Sequence, residues 1–212
     1  MSSAIGLLLC SLAHTSKKVL IPLFSILTLL LSFNTLAANG PDNAGRADYD
    51  LDDNGLIEIN DLADLNEIRN NLDGKTLYGS NVGCPNAEGG TVNGGCIGFE
   101  LTADLDFDTN GNGEIDDEDD YRNINSEGVS EGWLPIGGSS SGYFSAHFNG
   151  NGHVVKNLTI NRPATSYAGL FGIVKNSTIE NVVIAGLNSE IIGRNYVAAL
   201  AGRVSNTQVR NV

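Results

Sequence analysis

The sequence predicts a mainly β chain: a right-handed parallel β-helix, or β-solenoid, preceded by a small loop–helix unit. Three observations carry this. The segment Gly169 to Val182 aligns with Ala199 to Val212, thirty residues on, and short apolar-alternating units at such a period mean stacked repeats. These units are too short for a strand–helix–strand crossover, and their Gly, Asn and β-branched residues exclude helical repeats, which leaves strands wound coil on coil. Ahead of them the composition changes, because residues 39–131 carry 23 Asp and Glu against 4 Lys and Arg, whereas residues 132–212 carry 2 against 6. The net charge of −13 is therefore concentrated in the front part. An acidic surface repels nucleic acid and anionic lipid, which sets both aside as its partners.

Residues 1–38 read as a secretory signal peptide. Lys17 and Lys18 precede a charge-free run from Val19 to Phe33, and the small residues of Thr35-Leu36-Ala37-Ala38 offer a cleavage site. An uncleaved anchor helix is the rival reading, but this run of 15 residues holds Pro22 and falls short of the ~20 that span a bilayer. No later stretch is long enough for a membrane span, so the mature chain is expected to be secreted or held at a bacterial cell surface.

Residues 39–98 make up the acidic loop–helix unit. Asn39 to Ala47 is a leader punctuated by Gly and Pro. From Asp50 to Asp61, oxygen side chains fall at positions 1, 3, 5, 9 and 12 (Asp50, Asp52, Asn54, Glu58, Asp61), Gly55 sits at position 6 and Leu56 offers its carbonyl at position 7. That is the spacing of a twelve-residue calcium loop. A hard cation needs six to eight oxygens, alternate side chains of a tight loop converge on one point, and glycine allows the sharp turn. Leu62, Leu65, Ile68 and Leu72 then recur at spacings of three and four, the mark of one helix face. Asn60 or Asp61 can cap its start, and Gly74 stands where a helix end wants positive φ. Cys10 lies in the signal, which leaves Cys84 and Cys96 as an even pair in an exported chain. A disulfide closing the Gly-rich loop is the leading reading, with zinc as a rival that lacks a nearby His.

Residues 99–212 begin with Phe99, Leu101, Ala103, Leu105 and Phe107 alternating with polar residues, a strand with one buried face that delivers Asp108 into a second loop. Asp108, Asn110, Asn112, Asp116 and Asp119 repeat the register of the first loop, with Gly113 at position 6 and Glu114 at position 7. The first loop offers four carboxylates and the second three, so the first is expected to bind its ion more tightly. The first loop and its helix resemble one half of an EF-hand and, more closely, a dockerin repeat, in which a calcium loop with Asp at position 12 runs into a helix. The second is similar over the loop alone. The resemblance implies Ca2+ as the ion, although dockerins set their two units close together and these loops start 58 residues apart.

In the repeats, Asn157, Asn181 and Asn211 are expected to form an amide ladder at a turn. Val155 to Leu158 aligns with the later Ile179 to Val182 at twenty-four residues, which reads as an insertion near Leu187 to Arg194 in the following unit. Gly169 and Gly172 read as tight-turn residues. The run Gly169-Leu170-Phe171-Gly172 resembles the GLUG motif, and Ala199-Leu200-Ala201-Gly202 is a looser copy. Phe148-Asn149-Gly150-Asn151-Gly152-His153 is similar to the Phe-x-Gly-Asn-Gly-His turn that precedes such repeats. The resemblance implies β-helical stalks of bacterial secreted and surface proteins, including adhesin-like molecules and some IgA-directed peptidases. The sequence reaches Val212 inside a repeat, so an incomplete solenoid is expected there.

No catalytic residues are expected. After signal removal only His147 and His153 remain, no cysteine is left over for a nucleophile, and neither Gly-x-Ser-x-Gly nor His-Glu-x-x-His occurs. The reading is an exported, calcium-binding, non-enzymatic solenoid acting as a surface stalk or adhesin-type module toward a surface glycan or protein ligand. Two alternatives stand beside it: the non-catalytic N-terminal part of a larger secreted hydrolase or peptidase, and a dockerin-like docking module.

Overall fold

The computed structural model describes residues 45–85 and 95–212, so the expected signal peptide lies outside the described residues. The chain is mainly β. It opens with β1 (Leu56–Ile59), helix α1 (Leu62–Glu67) and a 3-10 turn (Ile68–Asn70). Then come β2 (Gly98–Leu101), β3 (Leu105–Asp106), β4 (His147–Asn149), β5 (Val154–Lys156) and β6 (Thr159–Arg162). The last six are β7 (Phe171–Lys175), β8 (Thr178–Glu180), β9 (Val183–Ala185), β10 (Glu190–Gly193), β11 (Ala201–Ser205) and β12 (Gln208–Arg210).

These strands pair in parallel and always with a strand from another pass of the chain. One sheet runs β1-β2-β4-β8-β12, a second β3-β5-β9, and two further pairs are β6 with β10 and β7 with β11. In the later passes the partners lie 29 to 31 residues apart, as in Val154↔Val183, Phe171↔Ala201 and Thr159↔Glu190. The thirty-residue alignment read from sequence is therefore the pairing register itself. Inward columns follow from it. Ile57, Phe99, Phe148 and Ile179 are register partners in turn, and all four are fully buried. Around them Phe144 and Phe171 close an aromatic core, with ring centroids 4.7 Å apart, and the buried Trp133 donates its indole N–H to the Leu170 carbonyl at 3.0 Å.

Several local expectations are corrected. The twenty-four-residue alignment is not the register: Ile179 pairs with Phe148, and Val155 with Ile184. Leu187 to Arg194 is no insertion, since Glu190–Gly193 is β10 and lies on β6. The strand expected from Phe99 to Phe107 breaks into β2 and β3, which join different sheets, and Phe99, Leu101, Leu105 and Phe107 stay buried on either side of a corner at which Ala103 is only half-buried. Gly169 and Gly172 are not positive-φ turn residues. A Cβ on Gly172 would lie 2.1 Å from the Gly137 carbonyl oxygen, so the glycine is there because backbone approaches it closely.

The true corners are asparagines. Asn157, Asn176, Asn181, Asn206 and Asn211 all hold positive φ, a conformation Asn tolerates better than other residues with a Cβ. Asn211 donates to the Asn181 side-chain oxygen at 2.9 Å, and Asn206 to that of Asn176 at 2.7 Å, giving two amide ladders. Asn157 belongs to neither, because it turns a different corner and donates to Asp106.

The front unit is built onto this stack. β1 pairs with β2 across the boundary expected between residues 98 and 99, and Leu62, Leu65 and Ile68 are buried in the same core as the strands. Asp61 caps α1, its Oδ1 accepting the Asp64 N–H at 2.9 Å. Gly74 has φ of +74°, and a Cβ there would lie 2.6 Å from that of Ala146.

Candidate metal centre

The two twelve-residue loops fold alike, and their carboxylates and amides explain why. In the first, Asp50 Oδ1 accepts the Asn54 N–H at 3.0 Å and Oδ2 the Gly55 N–H at 2.8 Å, while Asn54 Oδ1 accepts the Leu56 N–H at 2.8 Å. In the second, Asp108 takes the N–H groups of Asn112 and Gly113 at 3.1 and 2.8 Å, and Asn112 Oδ1 takes that of Glu114 at 2.8 Å. Each loop is thus wound around the side chain at position 1, with the glycine at position 6 in the left-handed region (Gly55 φ +88°, Gly113 φ +89°).

They differ in what surrounds them. Oxygens of Asp50, Asp52 and Glu58 lie within 4.8 Å of one another, while Asp108, Asp116 and Asp119 are not brought into such a group among the described residues. Asp50 is fully buried and Glu58 is 4% exposed, whereas Asp108 accepts its hydrogen bonds in an exposed loop. Burial raises Glu58 to about 7, the neighbouring carboxylates Asp50 and Glu100 adding to it, against the lowering effect of the Leu51 N–H that it accepts at 2.6 Å. Burial also raises Asp50. In the second loop Asp116 is lowered instead, first by the Glu118 N–H and then by the Asn112 side chain.

One residue that sequence reasoning missed stands beside the first loop. Glu100, 4% exposed, is the register partner of Glu58 on the adjacent strand. Its Oε1 accepts from Asn54 Nδ2 at 3.0 Å and its Oε2 from Asn151 Nδ2 at 2.9 Å. Nothing in the spacing flags it, because it joins the loop only through strand pairing. Among the described residues no Lys, Arg or His forms an ion pair with Asp50, Asp52, Glu58 or Glu100. Glu58 Oε2 is buried and accepts no hydrogen bond. An all-oxygen donor set with uncompensated buried charge suits a hard divalent cation.

The remaining predicted residues fall as follows. Leu56 is buried at the start of β1, and Asp61 is turned to the helix cap. Asn110 and Asn112 donate to Asp116 at 3.2 and 2.6 Å, Glu114 is exposed, and Asp119 accepts the Thr109 and Asp116 N–H groups at 2.6 and 2.9 Å. Cys84 and Cys96 form a disulfide with Cα atoms 5.1 Å apart, and Cys96 Sγ lies 3.6 Å from Asp50 Oδ2. The sulfurs are thereby withdrawn from zinc ligation. Leu170, Phe171 and Ala201 of the repeat motifs are buried, Leu200 packs on the core, and Ala199 lends its carbonyl to the Leu170 N–H. Gly202, like Gly172, permits close backbone approach, its Cβ position lying 2.5 Å from Tyr167 Cα.

No protein-family model matches the chain, and no solved structure matches it. Two curated proteins are similar over part of it. Halomucin of Haloquadratum walsbyi is 37% identical over 82 residues, covering 38% of this chain and 1% of halomucin. A Gly-rich membrane protein of Evansella cellulosilytica is 39% identical over 56 residues, covering 26% of this chain and 6% of that protein. The chain thus spans a small part of either relative's length. No helix among the described residues is long and apolar enough to cross a membrane.

Proposed function

We propose that the chain is an exported, calcium-binding, non-enzymatic right-handed parallel β-helix that serves as a surface stalk or adhesin-type interaction module. The observation that carries this reading is the first loop, where buried Asp50, ahead of β1, meets Glu58 on that edge strand with no basic ion-pair partner among the described residues. A cation there neutralises the cluster and holds the loop on the sheet's first strand, whose edge Tyr49 covers by accepting the Glu58 N–H at 3.0 Å. The in-register parallel passes support the β-helix, and the buried Leu170 and Phe171 with close-packed Gly172 support a GLUG-type repeat. Similarity to halomucin and to a protein named as a membrane protein supports a place outside the cell or at its surface.

Two measurements test this. Calorimetric titration of the metal-free chain should show calcium binding, with Asp50→Ala removing the tighter event and Asp108→Ala the weaker. Acidic and neutral polysaccharides and host-surface glycans, offered with calcium, should be bound without being cleaved. Absence of calcium binding, or polysaccharide turnover lost in both Asp108→Ala and Arg122→Ala, the latter removing the basic residue that pairs with Asp117 of the second loop, would overturn the reading.

A further inference from the structure

We propose that the ion of the first loop is closed by Glu58 from position 9, with Asp61 at position 12 released to cap helix α1. This deepens the calcium-binding reading and rests on it. In the second loop the N–H at position 2, that of Thr109, is taken by the position-12 carboxylate, Asp119 Oδ1, at 2.6 Å. In the first loop the equivalent N–H, that of Leu51, is taken at the same distance by Glu58 Oε1. The carboxylate that receives this N–H with one oxygen is the one drawn across the loop mouth. In the first loop the other oxygen, Glu58 Oε2, is left for the ion, buried and without a hydrogen-bond donor, whereas in the second Asp119 Oδ2 accepts the Asp116 N–H.

Chain geometry accounts for the exchange. Position 9 of the first loop lies in β1, which fixes the Glu58 side chain on the sheet face that the loop covers, and Glu is one methylene longer than the Asp116 found at position 9 of the second loop. Oxygens of Glu58, Asp50 and Asp52 already lie within 4.8 Å of one another, whereas Asp61 is not in that group and its Oδ1 holds the Asp64 N–H. Glu100 is a positioning residue: it accepts the same Asn54 amide that donates to Asp52 Oδ2 at 3.0 Å, and so sets the side chain at position 5 from the neighbouring strand.

Calorimetric titration of the chain with Ca2+ tests this with three isosteric or near-isosteric variants. Glu58→Gln should weaken the tighter site by at least about tenfold, and Glu58→Asp, which keeps the charge and loses the reach, should weaken it as well. Asp61→Asn, which retains a good helix cap, should leave it within about threefold. Loss of the site in Asp61→Asn, with or without loss in Glu58→Gln, overturns this inference while the calcium reading stands. No calcium uptake by the unaltered chain would overturn the calcium reading itself. A circular dichroism spectrum and melt of each variant confirm that affinity is being compared between folded chains.

Discussion

Replacing Glu58 by Gln should raise stability without calcium and diminish the stabilisation that calcium adds. Without the ion, the fold holds a carboxylate whose pKa burial has raised from 4.5 to about 7. Between those two values the folded state binds more protons than the unfolded one, so this group's contribution is most favourable below pH 4.5 and declines as pH rises through about 7. The whole shift corresponds to about 3 kcal/mol, nearly all of it felt at pH 8. Gln keeps the shape and removes the charge. The calcium-free variant should therefore melt above the calcium-free parent at pH 8, by about 2 kcal/mol, or roughly 4 to 8 °C for a chain of this size. Lowering the pH to 5 should close most of that gap, since the parent is then protonated. Saturating calcium should narrow the gap, because an ion at a hundred times its Kd adds about 2.7 kcal/mol to the parent and, after a tenfold loss of affinity, about 1.4 kcal/mol to the variant, and the order reverses once that loss passes about fortyfold. Scanning calorimetry in EDTA at pH 8 and pH 5, and in millimolar calcium at pH 8, reads all three. A variant that melts below the parent in EDTA at pH 8 would refute the reasoning, since it would mean the Glu58 charge is already satisfied by the protein.

Three further outcomes are expected. Gly172→Ala, which sets a Cβ 2.1 Å from the Gly137 oxygen, should cost about 2 to 3 kcal/mol, visible as a lower urea midpoint. A midpoint unchanged from that of the parent would show that the two passes can separate freely. Replacing Cys84 and Cys96 together by Ser should destabilise the chain by about 2 to 3 kcal/mol. It should also weaken the first calcium site, because Cys96 Sγ packs against Asp50, and equal affinity in titration would dissociate the two features. Asp104, lowered to about 2 first by the Val154 N–H and then by Lys156, should titrate near that value by carbon NMR. Its contribution is complete above the ordinary carboxylate range and lost as pH falls through about 2. Lys156→Ala should move its midpoint upward, and no movement would assign the shift to the backbone alone.

How much of this was legible depends on which residues speak for themselves. The thirty-residue repeat was, because Gly169 to Val182 and Ala199 to Val212 share residue types position by position, and those positions pair. The earlier pass misaligns for a physical reason. Lys156-Asn157 and Glu180-Asn181 are both a polar residue followed by a left-handed Asn, and a chain that turns several such corners per pass offers several equivalent-looking alignments. The strand break after Leu101 was hidden because alternation continues through Thr102 to Asp104 whether or not the chain bends. Within the proposed metal centre the twelve positions can be read from the spacing. The choice between Glu58 and Asp61 cannot, since it depends on β1 being a strand whose outer face the loop covers. Glu100 was out of reach, because its place is decided by pairing across 42 residues of sequence.

The in-register passes make the molecule a kind of ruler. Where each residue sits over its counterpart 29 to 31 positions away, duplicating one whole pass reproduces every existing neighbour and adds one strand spacing, about 4.8 Å, along the stack. A single inserted residue inside a strand does the reverse, turning each following inward side chain outward until the next corner absorbs the slip. Length along the stack is thus a quantity that can change in whole steps without asking the core to refold, whereas a change of step within a pass displaces the core.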